Sequence, residues 1–310
     1  MEKILFLEGK FVEKIWGGER LKKEFPYQFE SENIGEYWAI SAMKEFPSKI
    51  LNGKYKGENL DFLYQNHKEL FGNEQKENFP LLIKLIDAND DLSIQVHPDD
   101  EMAKKENSYG KSECWYILNE NQAQIIYGLK INDKKEAIDL IDKAKWEDLL
   151  KEENSKKGDF FKVPAGMVHA IKKDSLILEI QQASDITYRL YDYDRVDKNG
   201  NKRALHLEKS KKALKCLDTE KIHENLEKNT EILYDNEYFT VKKINVEKEI
   251  SFERKEPYIL ESIIKGRGEI IIDDETYPIK KGDFFIITNY TKSYSFKGNI
   301  EIIRISYGKN

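Results

Sequence analysis

The chain has 310 residues, enough for two average domains or one large domain with an insertion. Its 51 Lys and Arg against 57 Asp and Glu leave a net charge of −6, and no basic tract exists, which excludes the clustered positive face that nucleic-acid binding needs. A hydrophobic share of 39% and an aromatic share of 12% are enough for a core and exclude a disordered chain, even with 35% charged residues. The two cysteines, Cys114 and Cys216, form no disulfide framework and no CxxC pair, which points to a reducing compartment. No apolar run approaches the roughly 18 residues of a membrane span. MEKILFLEGK lacks the long apolar stretch and small-residue cleavage site of a secretory signal. The expectation is a cytoplasmic protein with no nucleic-acid or membrane partner.

In chain order, a short helix is predicted at 59–71 and strands at 81–86, 92–97, 115–118 and 123–128. A helix follows at 131–152, where Ala137, Ile138, Ile141, Ala144, Leu149 and Leu150 fall close to one face. Strands at 175–181 and 186–191 and a helix at 206–217 come next. The charged stretch 218–230 is the candidate boundary. Strands at 238–246, 258–264, 268–273 and 300–306 complete the chain. Many short strands separated by turn residues predict a mainly β fold, a barrel or sandwich with a few helices inserted or flanking.

KKGDFF occurs at 156–161 and again at 280–285. Six identical residues, each leading into a β-forming run, imply a duplicated structural unit. Aligned without gaps, Pro164 meets Thr288, Gly166 meets Tyr290 and His169 meets Ser293. Two related units are therefore expected, at 1–225 and 226–310, with the chemistry in the first.

Of five histidines, two stand in distinctive places. His97 ends the strand SIQVHPDD, where Ser93, Gln95 and His97 share one face. His169 follows Pro164 and Gly166, a turn that delivers an imidazole from the next strand. Glu113, at the start of a strand after His97, is the best acidic partner. Two imidazoles and a carboxylate are a common zinc set that leaves a position open for chemistry. Lys84 interrupts the apolar run PLLIKLI; it either reaches an opening or guards a sheet edge. Only seven residues are Arg against 44 Lys, and Arg189, Arg195 and Arg203 lie within fifteen residues of one another. That concentration suggests a need for planar, bidentate recognition, with a salt bridge from Arg189 to Asp192 or Asp194 as the plainer reading.

These residues carry a resemblance. The pattern Gly158-x5-Pro164-x-Gly166-x2-His169 is similar to the second motif of the cupin barrels. Gln95-x-His97 with Glu113 is similar to the first, with Gln in place of its usual first His. PLLIKLIDANDDLSIQVHPDD (80–100), KSECWYIL (111–118), GDFFKVPAGMVHAI (158–171), LEIQQASDITYRLYDYDR (178–195), IWGGERL (15–21) and IGEYWAIS (34–41) together resemble the type I mannose-6-phosphate isomerases in their short bacterial form. The resemblance covers most of 1–210 and weakens toward the C-terminus.

It implies two cupin-like jelly-roll barrels, a catalytic metal-binding one at 1–225 and a degenerate one at 226–310 without ligands. It implies one zinc ion per chain on Gln95, His97, Glu113 and His169. The catalytic arginine falls on Arg189, with Lys111 and Glu179 as candidates for proton transfer. Pocket residues fall on Trp16, Glu36, Lys84, Ser93 and Asp185. The implied reaction interconverts mannose 6-phosphate and fructose 6-phosphate through an enediol-like intermediate, in a monomer acting on a small sugar phosphate. Another metal-dependent cupin enzyme, such as a non-haem iron dioxygenase, and a non-catalytic sugar-binding cupin stay open as alternatives.

Overall fold

Leu81–Ala88 and Ser175–Gln182 are buried at every position, so their sequences read as continuous apolar runs although both strands are antiparallel. Parity still sorts their side chains. Leu81, Ile83, Leu85, Leu176, Leu178 and Ile180 enter one core, and Ile86, Ala88 and Ile177 enter another. The computed structural model describes residues 1–196, 199–225 and 229–307. In it these two strands are central to a seven-stranded sheet of order Lys221–His223, Asp159–Val163, Glu113–Ile117, Ser175–Gln182, Leu81–Ala88, Ile34–Ile40 and Lys10–Gly18. Lys84 thus stands on an interior strand, which removes the edge-guard explanation for it.

A five-stranded sheet, Tyr188–Tyr191, Ile94–Val96, His169–Ile171, Ala123–Leu129 and Leu150–Ser155, faces the seven-stranded one. Trp16, Ile86, Trp115, Tyr127, Phe161 and Ile177 fill the core between them. The helices Lys134–Asp142 and Leu207–Ala213 cover the outer face of the smaller sheet, where Ala137, Ile141 and Ala213 pack on Val96, Ile126 and Leu190. No helix among the described residues is long and apolar enough to cross a membrane.

A nine-stranded sheet holds the strands from Thr230 to Tyr307 and also takes Ile4–Glu8 and Lys49–Ile50. It curls around its own core of Ile4, Ile263, Ile270, Phe285, Phe296 and Ile302. Its other face, with Leu5, Leu260, Phe284 and Ile303, packs on the seven-stranded sheet through Ile83, Cys114 and Phe160. The mainly β, two-unit architecture is therefore present. Among the described residues none of the sheets closes into a ring, so each jelly roll is an opposed or curled open sheet. The expected division at 225 is crossed by the first strand of the chain, since Ile4 pairs with Ile287 and Leu7 with Phe284.

Two further expectations are corrected. Residues 131–152 are not one helix: Lys134–Asp142 ends, Ala144 adopts a positive φ of 52°, a single turn follows at Trp146–Leu149, and Leu150–Ser155 is a strand paired with Ala123–Leu129. Only the end residues Leu150 and Ser155 are buried while 151–154 are half-buried or exposed, and it is the cross-strand pairing with Ala123–Leu129 that wins over the helical spacing of Leu149 and Leu150. The strands expected at 258–264 and 268–273 are one, Ile259–Ile272, with a register shift between Ile263 and Lys265 that bends it.

The repeated KKGDFF forms the same turn twice. Lys156 C=O accepts from Asp159 N–H at 3.0 Å, and Lys280 C=O accepts from Asp283 N–H at 3.0 Å. Each aspartate accepts in return, through Oδ2, from the first lysine's N–H, at 3.1 and 2.8 Å. Gly158 and Gly282 sit third in these turns with φ of 83° and 94°, the position where a type II turn requires a positive φ. Downstream the copies part. His169 is buried at the start of His169–Ile171, and Ser293 is exposed at the start of Ser293–Tyr307.

Candidate active site

Two cross-strand rows face each other between the seven- and five-stranded sheets. On the smaller sheet Gln95 pairs with His169 on one side and with Arg189 on the other. On the larger sheet Glu179 lies between Lys84 and Trp115, and Lys84 lies between Glu179 and Trp38. Directly paired positions share a sheet face, so both sets of side chains project into one cleft.

At the closed end of the cleft stand His97, Glu113 and His169, each at most 1% exposed, with one ligand-capable atom apiece lying within 4.8 Å of the others. Each imidazole is oriented by a main-chain carbonyl: His97 Nδ1–H donates to Ile186 O at 2.8 Å and His169 Nδ1–H to Met167 O at 2.9 Å. Both Nε2 atoms then face Glu113, each 3.5 Å from a carboxylate oxygen. Burial, with help from the Lys111 charge, holds the His97 imidazolium well below its usual range, and burial lowers His169 to about 4. Both rings are neutral near pH 7, the form that binds metals. Glu113 Oε2 is buried without an aligned hydrogen bond, although Lys111 Nζ lies 2.9 Å away. Two neutral imidazoles fixed through their far nitrogens, beside a fully buried carboxylate, fit a divalent metal of the zinc type. Gln95 sits beside this cluster, its amide nitrogen 3.3 Å from His169 Nε2 and its oxygen accepting from Ser93 Oγ at 3.3 Å. Rotating such an amide exchanges the two atoms.

The middle of the cleft is a charge lattice. Lys84, 2% exposed, lies 3.6 to 3.9 Å from carboxylate oxygens of Asp185, Glu179 and Glu36, and 4.3 Å above the Trp38 ring. Burial works to raise the Glu36 carboxyl, but Lys84, Lys14 and the Trp38 indole outweigh it and hold it at about 2. Glu179 behaves in the opposite way: burial, reinforced by the neighbouring Glu113 charge, pushes its pKa up. The Trp115 indole N–H is shared between Glu113 Oε1 at 3.0 Å and Glu179 Oε2 at 3.1 Å. Burial works to lower Lys111, but the Glu113 and Glu179 carboxylates outweigh it and keep it a firmly charged ammonium.

The metal, catalytic and pocket residues expected from sequence all come to this place, whereas Arg195 is held outside the cleft by Asp90 and Asp192. Trp16, Glu36, Lys84, Ser93, Gln95, Lys111, Glu179, Asp185, Thr187 and Arg189 line the cleft, with the His–Glu–His cluster behind them. Among the described residues the Arg189 guanidinium has no hydrogen bond or ion pair, and its Nε is buried without a partner. The plainer salt-bridge reading fails because its two acids are taken: Asp192 by Arg195 and Arg203, and Asp194 by Lys202. Sequence reasoning missed Lys14, which lines the cleft and lies 3.2 Å from Glu36. Its signal was available, since it stands two residues before Trp16 and so shares its strand face. A roomier cavity of about 650 Å³ lies in the nine-stranded sheet around Gly268, Ile279 and Gly298, without a histidine or any of these residues.

Residues 4–137 match the family described as phosphomannose isomerase type I, catalytic domain, and residues 228–307 match mannose-6-phosphate isomerase, cupin domain. A mannose-6-phosphate isomerase of Streptococcus mutans is 46% identical over 309 residues, covering 98% of each chain. Mannose-6-phosphate isomerase ManA of Bacillus subtilis is 42% identical, covering 96% of this chain and 97% of that one. The crystal structure of a mannose 6-phosphate isomerase from Bacillus subtilis superposes with a TM-score of 0.92 at 41% identity, over 98% of this chain and 99% of that one. With near-complete coverage at this identity, the chain belongs to the type I phosphomannose isomerases.

Proposed function

We propose that this protein interconverts D-mannose 6-phosphate and D-fructose 6-phosphate with one zinc ion, acting as a monomer in the cytoplasm. The observation that carries the reading is the buried His97–Glu113–His169 cluster opening onto a cleft that also holds Glu179 and an Arg189 unpaired among the described residues. His97, Glu113 and His169 would hold the metal, with Gln95 as a fourth ligand through its amide oxygen. Zinc at this position supplies Lewis acidity toward the sugar oxygens.

The isomerisation moves a proton between adjacent carbons while negative charge gathers on the oxygens. Glu179 is suited to take and return the carbon-bound proton, because a buried carboxyl with a raised pKa binds a proton more readily than an exposed one. Lys111 is suited to the other task. Its ammonium is kept charged by Glu113 and Glu179, so it holds a positive charge beside the oxygens rather than serving as a base. Arg189, paired across the strands with Gln95, places its guanidinium near the metal row, where it can meet charge as it develops. Trp16 and Ser93 shape the wall, and Lys84 with Glu36 and Asp185 offers fixed polar groups for substrate hydroxyls. Metal chemistry belongs to 1–225 in this reading, and 226–310 serves as a structural unit.

The test is a coupled assay for fructose 6-phosphate formed from mannose 6-phosphate, before and after chelation, with elemental analysis of the protein. About one zinc per chain and activity that falls on chelation and returns with zinc are expected. His97→Ala should lose metal and activity together. Full metal occupancy and normal turnover in that variant would refute the ligand assignment.

A further inference from the structure

The cleft holds five cations, Lys14, Lys84, Lys111, Arg189 and Arg203, and their charges are not equally available. A phosphate monoester needs cationic groups not already balanced by carboxylates. Lys14 is balanced by Glu36 at 3.2 Å, Lys111 by Glu113 at 2.9 Å, and Lys84 is enclosed by three carboxylates. The arginines differ. Arg203 spends one edge on Asp192, with Nε 2.7 Å from Oδ2 and one terminal nitrogen on Oδ1, and its other terminal nitrogen has no partner among the described residues. The same Asp192 also accepts from Arg195 at 2.7 Å, so one carboxylate serves two guanidinium groups, with the more exposed Asp90 reaching Arg195 at 3.3 Å. Arg189 stands beside them without an ion pair among the described residues, and burial, then the charge of Arg203, lowers its pKa.

We propose that Arg203, held in place by Asp192 beside Arg189, is the residue that anchors the phosphate group of the substrate. This rests on the reading of the cleft as a sugar-phosphate isomerase site. Arg189 is paired across the strands with Gln95 and lies toward the metal row. Arg203 follows the bridge between Val196 and Lys202 and reaches the cleft from a loop outside the sheet. A hexose with its reacting carbons at the metal end and its phosphate at the far end needs the second anchor to be separate from the first. The sequence supports the choice of residue type. A chain with 51 Lys and Arg places three of its seven arginines between 189 and 203, and a guanidinium edge takes two phosphate oxygens at once, where an ammonium acts as a point charge.

The test uses the zinc-loaded protein. Arg203→Gln should raise KM for mannose 6-phosphate about tenfold or more, the scale of one lost charge-assisted hydrogen bond, with kcat changed less than about threefold. The Kd of inorganic phosphate, measured by calorimetry, should rise by a similar factor, and Arg203→Lys should recover part of both losses. The phosphate titration separates this proposal from the reaction assignment: a wild-type protein that fails to isomerise the sugar but binds phosphate through Arg203 sinks the reaction and keeps the anchor. A folded Arg203→Gln protein whose KM and phosphate Kd both stay within about twofold of wild type overturns the proposal, as does an Arg203→Lys protein that loses kcat and zinc while keeping phosphate affinity.

Discussion

Arg189 carries a positive charge, unpaired among the described residues, into a cleft where each neighbouring lysine already has a carboxylate, and a fixed charge of that kind is most useful where charge builds during reaction. Arg189→Ala should therefore lower kcat by about a hundredfold or more while KM moves less, and zinc content should stay intact. Arg189→Lys keeps the charge and loses the planar fork, so it should rescue only part of the rate. Unchanged turnover with weakened binding would move Arg189 to a ground-state role. Glu36 tests the lattice around Lys84. Its folded pKa of about 2 lies below the ordinary 4.5, so it adds stability that is fully present above pH 4.5 and is lost as pH falls toward 2. Glu36→Gln should cost about 3 kcal/mol at pH 7 by urea titration, and the difference from wild type should vanish toward pH 2. At this scale His97, Glu113 and His169 were legible because strand parity and a Pro–Gly turn aim them. Lys14 and the sharing of Asp192 were not, because both depend on chain segments far apart in sequence.

The KKGDFF turn shows what an element can reveal. Two copies adopt one geometry because Gly takes the positive φ and Asp closes the turn on the first lysine. Gly282→Ala would place its Cβ 3.2 Å from Pro26 and from the Tyr27 hydroxyl, at a φ of 94°. It should cost about 1–2 kcal/mol in chemical denaturation without altering zinc content or kcat. An activity loss at constant stability would show that this turn touches the chemistry. Residues 131–152 show the opposite case. Helical spacing was real for Ala137 and Ile141, but LKEENS pairs with Ala123–Leu129, and a neighbouring strand edge decides that segment where local propensity does not.

Across the whole molecule the seven-stranded sheet is the shared layer, covered on one face by the five-stranded sheet and on the other by the nine-stranded one. A buried polar network joins the two units. Lys243, 2% exposed, contacts Glu224, Glu301 at 2.9 Å and the Tyr116 hydroxyl at 3.2 Å, and Tyr116 donates to Glu224 at 2.5 Å. Tyr116 stands three residues after Glu113 on the same strand, so the network grips the strand that carries a candidate metal ligand. Lys243→Met leaves Glu224 without its cation and should cost about 3 kcal/mol or more, read as one shifted unfolding transition. Two separated transitions would show that the units fold independently, against the pairing of Ile4–Glu8 with Phe284–Ile287.

Sequence alone determined the mainly β class, the family, the duplicated turn and the chemistry-bearing residue types, because turn residues, strand parity and motif spacing are local properties of the chain. Tertiary structure decided which cations are neutralised, since Asp192 meets Arg195 and Arg203 but not Arg189 only after the loop folds back. It also decided that the first strand of the chain joins the sheet built from the last. Hydrogen bonding between Ile4 and Ile287 is set by which strand edge is open, and an open edge exists only once the other strands are in place.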